Sequence, residues 1–125
     1  MKQAIATTKA PGAIGPYSQA IEANGMVFVS GQLPIDPATG NFVEGDIKAQ
    51  ARQSLTNLQN ILAEAGLTMD NVVKTCVFLA DINDFAAVNE VYATFFKAPF
   101  PARSAVAVKD LPKAGRLEIE CIAVR

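Results

Sequence analysis

Phe100–Val124 reads F-P-A-R-S-A-V-A-V-K-D-L-P-K-A-G-R-L-E-I-E-C-I-A-V. Two apolar runs rich in β-branched residues, Ala102–Val108 and Leu117–Val124, flank a turn-forming segment with Pro112 and Gly115. Such runs predict strands. Each carries charge where a strand interior does not need it. Arg103 stands at the mouth of the first run. Glu118 and Glu120 alternate with Leu117, Ile119 and Cys121 in the second, so both carboxylates share one face. Two alternating acids ordinarily mark a solvated face. They gain weight here because the rest of the chain has few groups suited to chemistry.

Composition narrows the choice of chemistry. Half of the 125 residues are hydrophobic and 18% are charged, as expected of one compact domain, residues 1–125, with a sizeable core. Eleven Lys and Arg nearly balance twelve Asp and Glu, and the basic residues are scattered, so no basic stripe invites a nucleic acid. There is no histidine, which removes His-based acid–base catalysis, the usual triads and most zinc sites. Cys76 and Cys121 lie apart within apolar runs and read as small buried hydrophobes. With no phosphate-cradling glycine loop either, neither a metal nor an organic cofactor is expected. No window approaches the roughly 18 apolar residues of a membrane span. M-K-Q-A-I-A-T-T-K lacks the apolar core of a secretory signal, so a cytoplasmic protein is expected, with an organelle left open.

Lys2–Ala6 reads as a short edge strand. Ala10–Ala20 places two Pro and two Gly around Tyr17, a loop of enforced geometry in which Tyr17 either plugs the core edge or offers a hydroxyl beside a cleft. Gln19–Ala23 and Met26–Ser30 flank Asn24-Gly25, a type I′ hairpin signal. The second of these strands ends in Ser30-Gly31-Gln32, where glycine either brings backbone close to a ligand or merely ends the strand. Pro34–Gly45 reads as a loop.

Asp46 caps a helix running to about Ala65 and closed by Gly66, with a buried stripe of Ile47, Ala51, Leu55, Leu58, Leu62 and Ala65. Lys48, Arg52, Gln53, Asn57 and Asn60 fall off that stripe. Asn71–Ala80 reads as a strand covered on both faces and central in the sheet. A second helix, about Asp84–Lys97, buries Phe85, Val88, Tyr92, Phe95 and Phe96, with Asn89 at the stripe edge. Two helices cover one face of a single sheet. Val73, Cys76, Phe78, Val106, Val108, Ile119, Ile122 and Val124 do not all fit on that face, so other copies of the chain are expected to cover the remainder.

Together the motifs resemble the Rid family, also called YjgF-type or reactive-intermediate deaminases. The matching segments are Gly15-Pro-Tyr-Ser-Gln-Ala20, Val29-Ser-Gly-Gln-Leu-Pro34, Gln50-Ala-Arg-Gln-Ser54, Phe85–Phe96, Pro101-Ala-Arg-Ser-Ala-Val106 and Leu117-Glu-Ile-Glu120. They run in order from about Ile5 to Val124 and look most like the RidA subgroup. The resemblance implies an α+β fold, a chorismate-mutase-like mixed β-sheet with two helices packed on one face, assembled as a homotrimer with clefts between subunits. It also implies that Asn71–Ala80 lies between the two strands of the opening stretch, which therefore do not form a hairpin.

For function, the resemblance implies cofactor-free hydrolysis of 2-imino acids to 2-keto acids and ammonia. Arg103 matches the arginine that binds the substrate carboxylate, and Glu118 the acid that positions and activates water. Tyr17, Ser30, Gly31 and Asn89 match cleft positions. Ala105 stands where many relatives carry cysteine, with a contact implied largely through backbone. By itself Arg103 also reads as an interface ion pair, and Glu120 competes with Glu118 as the catalytic acid. A non-catalytic small-carboxylate-binding trimer is one alternative from another class, and an RNA-directed role is a second, disfavoured by the acidic pI and the missing basic patch.

Overall fold

The computed structural model describes all residues from Met1 to Arg125. Three strands open the chain: β1 (Gln3–Ile5), β2 (Ala20–Ala23) and β3 (Met26–Gln32). Asn24 and Gly25 turn β2 into β3 with φ of 53° and 74°. Both central residues thus have the positive φ of a type I′ turn, as the Asn-Gly pair predicts. The predicted loop at Pro34–Gly45 instead contains a two-stranded sheet of its own, β4 (Ile35–Asp36) and β5 (Asn41–Phe42). The Asp36 carboxylate accepts from Ala38 N (2.9 Å) and its carbonyl from Gly40 N (2.8 Å), closing a tight turn that pairs too few residues to show as alternation.

Helix α1 (Ile47–Glu64) starts where Asp46 accepts from Ala49 N at 2.9 Å, and it ends before Gly66 at φ 77°. After α1 come β6 (Val72–Leu79), α2 (Phe85–Phe95), β7 (Ala102–Ala107) and β8 (Leu117–Val124). The large sheet has the order β1-β2-β3-β8-β6-β7. All its pairs are antiparallel except β6 with β7, which the α2 crossover makes parallel. β8 inserts between β3 and β6, so β7 and β8 are separated by β6, as the resemblance implies.

Both helices pack on one face of this sheet. There Val27, Val29, Val77, Leu79, Leu117, Ile119, Cys121 and Ala123 meet Leu55, Leu58, Ile61, Leu62, Val88, Val91 and Tyr92 in one apolar core. Asn57 departs from its expected place. It is fully buried, its amide donates to the carbonyls of Leu33 (3.2 Å) and Ile35 (2.9 Å), and its oxygen accepts from Gln53 Nε2 (2.8 Å). A buried amide is tolerated when its hydrogen bonds are made; these tie the β3–β4 link to α1.

The opposite face has no covering element within the chain. Strand alternation puts Phe28, Phe78, Val106, Ile122 and Val124 on it, with Cys76, Glu118 and Glu120. Phe28, Val106 and Val124 are exposed. Thus β6 is buried on the helix side and half-exposed on the other, rather than covered on both faces within one chain. No helix is long and apolar enough to cross a membrane.

Candidate active site

The loop bearing Tyr17 is held by Gln19, which sits just before β2 and is buried. Its side-chain oxygen accepts from Thr7 N (2.7 Å), and its amide donates to the carbonyls of Thr7 (3.1 Å), Ala10 (3.3 Å) and Pro11 (2.7 Å). The Gln19 carbonyl accepts from Ser30 N (2.9 Å), and Ser30 Oγ donates to the Ser18 carbonyl (2.7 Å). One buried side chain thereby ties the N-terminal segment, the Tyr17 loop and the end of β3 together. Gln19 lies inside the G-P-Y-S-Q-A motif, but its role requires knowing which carbonyls surround it.

At Ser30-Gly31 the β3–β8 ladder shifts register between Val29, paired with Cys121, and Gln32, paired with Ile119. Two residues of β3 therefore oppose the single Glu120, the signature of a β-bulge, which re-aims backbone beside a site. A Cβ on Gly31 would lie 2.6 Å from Glu118 Cδ and 2.8 Å from both Cγ and Oε1. Gly31 thus does not simply end the strand: the group packed against its backbone is the Glu118 side chain.

Glu118 is half-buried and belongs to none of the four ion pairs. Burial raises its pKa above the ordinary glutamate value, and the neighbouring Glu120 charge adds to the rise. The carboxyl lines a cavity of about 600 Å³ with Tyr17, Ser30 and Gly31, walled by Leu33, Ile35 and Pro112 among others.

The remaining predicted residues gather elsewhere. Arg103 on β7 pairs with Thr75 of β6 and so projects to the helix face. Its Nη1 donates to Asn89 Oδ1 at 2.7 Å, and its guanidinium carbon lies 4.7 Å and 5.2 Å from the ring centroids of Tyr92 and Phe85. Tyr92 OH and Thr75 Oγ1 are 2.8 Å apart, which fixes the ring beneath the cation. Arg103 meets no carboxylate within the chain, and a guanidinium fork is suited to an anion. Ala105 lies on the same face of β7, the edge strand, where alternate residues turn backbone N–H and C=O away from the sheet.

Two separate groups of residues result. Tyr17, Ser30, Gly31 and Glu118 share one cavity, whereas Arg103, Asn89 and Ala105 sit at the β7 edge. Arg103 and Glu118 point to opposite faces of the sheet with β6 between their strands. Neither thiol fits nucleophilic work: burial raises the pKa of Cys76 and lifts that of Cys121 to about 12. Cys76 faces away from the helices and Cys121 toward them, so no disulfide joins them within the chain. No three His, Cys, Asp or Glu side chains cluster as metal ligands.

Comparison with known proteins matches this architecture throughout. The 2-iminobutanoate/2-iminopropanoate deaminase of Capra hircus is 54% identical over 125 residues, spanning 100% of this chain and 91% of the goat protein. The Yersinia pestis protein YyfA, of the conserved Rid protein family, is 52% identical with a TM-score of 0.97 and covers 100% of both chains. Escherichia coli TdcF with bound serine is 50% identical with a TM-score of 0.94, covering 98% of both. A family model described as endoribonuclease L-PSP matches residues 7–125. Since that match takes in every strand of the large sheet except β1, the chain belongs to this family, the Rid or YjgF-type proteins.

Proposed function

We propose that the protein hydrolyses 2-imino acids, of the 2-iminopropanoate and 2-iminobutanoate kind, to 2-keto acids and ammonia in clefts between the subunits of a chorismate-mutase-like homotrimer. One observation carries the proposal. The two groups lie on opposite sides of one sheet, so a substrate touching both Arg103 and Glu118 needs Arg103 from one copy and Glu118 from another. The apolar face bearing Phe28, Val106, Ile122 and Val124 supplies a surface on which copies can meet. The named activity of the goat relative and the bound serine of TdcF, a ligand with an α-carboxylate, support the same reading.

Arg103 takes the substrate carboxylate through its guanidinium fork. Asn89 and the Tyr92 and Phe85 rings hold the guanidinium, which fixes where the imine carbon lies. Glu118 in the neighbouring copy accepts a proton from water as the oxygen bonds to the imine carbon, and the C=N π pair moves onto nitrogen. The same carboxyl returns that proton to the nitrogen, then takes the hydroxyl proton of the tetrahedral intermediate and passes it to the amine, so that C=O forms as the C–N bond breaks and ammonia leaves. A carboxyl whose pKa is raised suits both halves of this shuttle. Tyr17 and Ser30 line the water side of the cleft.

A PLP-dependent threonine or serine dehydratase supplies the short-lived imino acid in the test. Added protein is expected to accelerate keto-acid release, and the accelerating species is expected to sediment as a trimer. If it binds 2-oxobutanoate without accelerating release, the protein is a carboxylate-binding trimer and not an enzyme.

A further inference from the structure

The cavity around Glu118 poses an electrostatic problem for any substrate carrying a carboxylate. Of its fifteen lining residues only Glu118 and Lys113 are charged. Before the anion reaches the neighbouring copy's Arg103, a cavity wall with the glutamate as its only charge would repel it. Arg103, the cation of the other group, faces away from this cavity within the chain. Lys113 is exposed, lines the same cavity and enters no ion pair.

Its backbone is unusual as well. Lys113 has φ 57° and ψ 26°, and Ala114 follows with φ 57°. Two consecutive left-handed residues, neither of them glycine, persist only where the surroundings over-determine them, and such strain gathers at functional sites. Here the determinants are visible. Ala114 N donates to the Leu111 carbonyl (3.2 Å) and Gly115 N to the Pro112 carbonyl (3.1 Å). Gly115 is buried so tightly that a Cβ would lie 2.9 Å from Leu33 Cδ2 and 3.5 Å from Phe42 Cζ. Leu33 is itself part of the cavity wall. The turn is thus pinned to the cavity and carries Lys113 on its rim.

We propose that Lys113 is a substrate-recruiting residue that draws carboxylate ligands into the Glu118 cavity and offsets the repulsion of Glu118. The proposal rests on the imino-acid reading only in assuming an anionic ligand. Its ammonium acts at a distance through a low-dielectric cleft, which concentrates the field at the rim. It therefore works on capture rather than on the bond-breaking step, and salt screens it over a Debye length of about 8–10 Å.

Three variants test this: Lys113→Gln, which removes the charge, Lys113→Arg, which keeps it, and Ala114→Gly, which relaxes the turn without touching charge. Binding of 2-oxobutanoate and of its neutral amide is measured by calorimetry at low and high salt, alongside steady-state imine hydrolysis. Lys113→Gln is expected to weaken 2-oxobutanoate about two- to fivefold at low salt, the size of one partly screened charge. The difference should vanish in high salt, and the neutral amide should bind alike to both proteins. In turnover the loss should fall on KM rather than on kcat, and Lys113→Arg should restore it. An unchanged salt dependence in Lys113→Gln, or equal weakening of the acid and its amide, overturns the proposal. So does a loss confined to kcat. If wild type hydrolyses no imino acid, the function proposed above fails, while the calorimetric comparison still decides the role of Lys113.

Discussion

Gly31→Ala is the sharpest probe of the Glu118 assignment, because the added methyl reaches one group. Its Cβ would stand 2.6 Å from Glu118 Cδ and 2.8 Å from Cγ and Oε1, whereas ordinary contact between such atoms begins at 3.4 Å. The carboxyl must therefore retreat by about 1 Å, and a misplacement of that size can cost on the order of 10²-fold in rate. That equals about 2.7 kcal/mol of transition-state stabilisation. The φ of Gly31 lies outside the left-handed region, so the backbone accepts alanine. The group that yields is the end of a flexible side chain, so the melting temperature and the sedimenting mass should change little. The assay is dehydratase-coupled keto-acid release for wild type, Gly31→Ala, Glu118→Ala and the double variant. Gly31→Ala alone should lose about 10²-fold in kcat, and added to Glu118→Ala it should cost almost nothing more, a coupling that a double-mutant cycle reads directly. Retention of near wild-type kcat in Gly31→Ala, or the same fold-loss in both backgrounds, would refute the claim that this glycine serves the Glu118 carboxyl.

Arg103→Lys should fail nearly as badly as Arg103→Ala in imine hydrolysis and in 2-oxobutanoate affinity, since the ammonium keeps the charge but not the fork; activity close to wild type would make Arg103 an interface residue. Glu118→Gln should lose turnover more than binding, by about 10²–10⁴-fold, and if Glu120→Gln alone is inactive the catalytic acid is the other glutamate. Because Glu118 must be ionised to accept a proton and its pKa is raised, the acid limb of kcat/KM should lie above the ordinary glutamate range. The same shift carries a stability sign: a raised folded-state pKa stabilises below the unfolded value and is lost as pH climbs through the folded one. Glu118→Gln should thus melt higher than wild type at neutral pH, with the advantage disappearing in acid. Ala114→Gly, at φ 57°, should stabilise by up to about 1 kcal/mol, read by chemical denaturation.

Much of the fold was legible because local rules speak in local patterns. Asn24-Gly25 admits one hairpin turn, Asp46 and Gly66 bracket a helix, and alternation along Leu117–Val124 puts Glu118 and Glu120 on one face; each rests on chemistry within a few residues. Motif order across the chain likewise points to the family. Asn57 misled, since polarity predicts exposure, and only the carbonyls of Leu33 and Ile35 above it explain why an amide is buried there. The small β4–β5 sheet escaped because two-residue strands have no period to detect. Non-local geometry decided the rest. The α2 crossover sends β7 to the outer side of β6 and leaves β8 between β6 and β3, and the register of those pairs, Arg103 with Thr75 and Glu118 with Phe78, puts Arg103 and Glu118 on opposite sides of the sheet. The bulge at Ser30-Gly31 likewise exists only as a mismatch between two strands distant in sequence, so its fit to Glu118 could be seen only once β3 and β8 were paired.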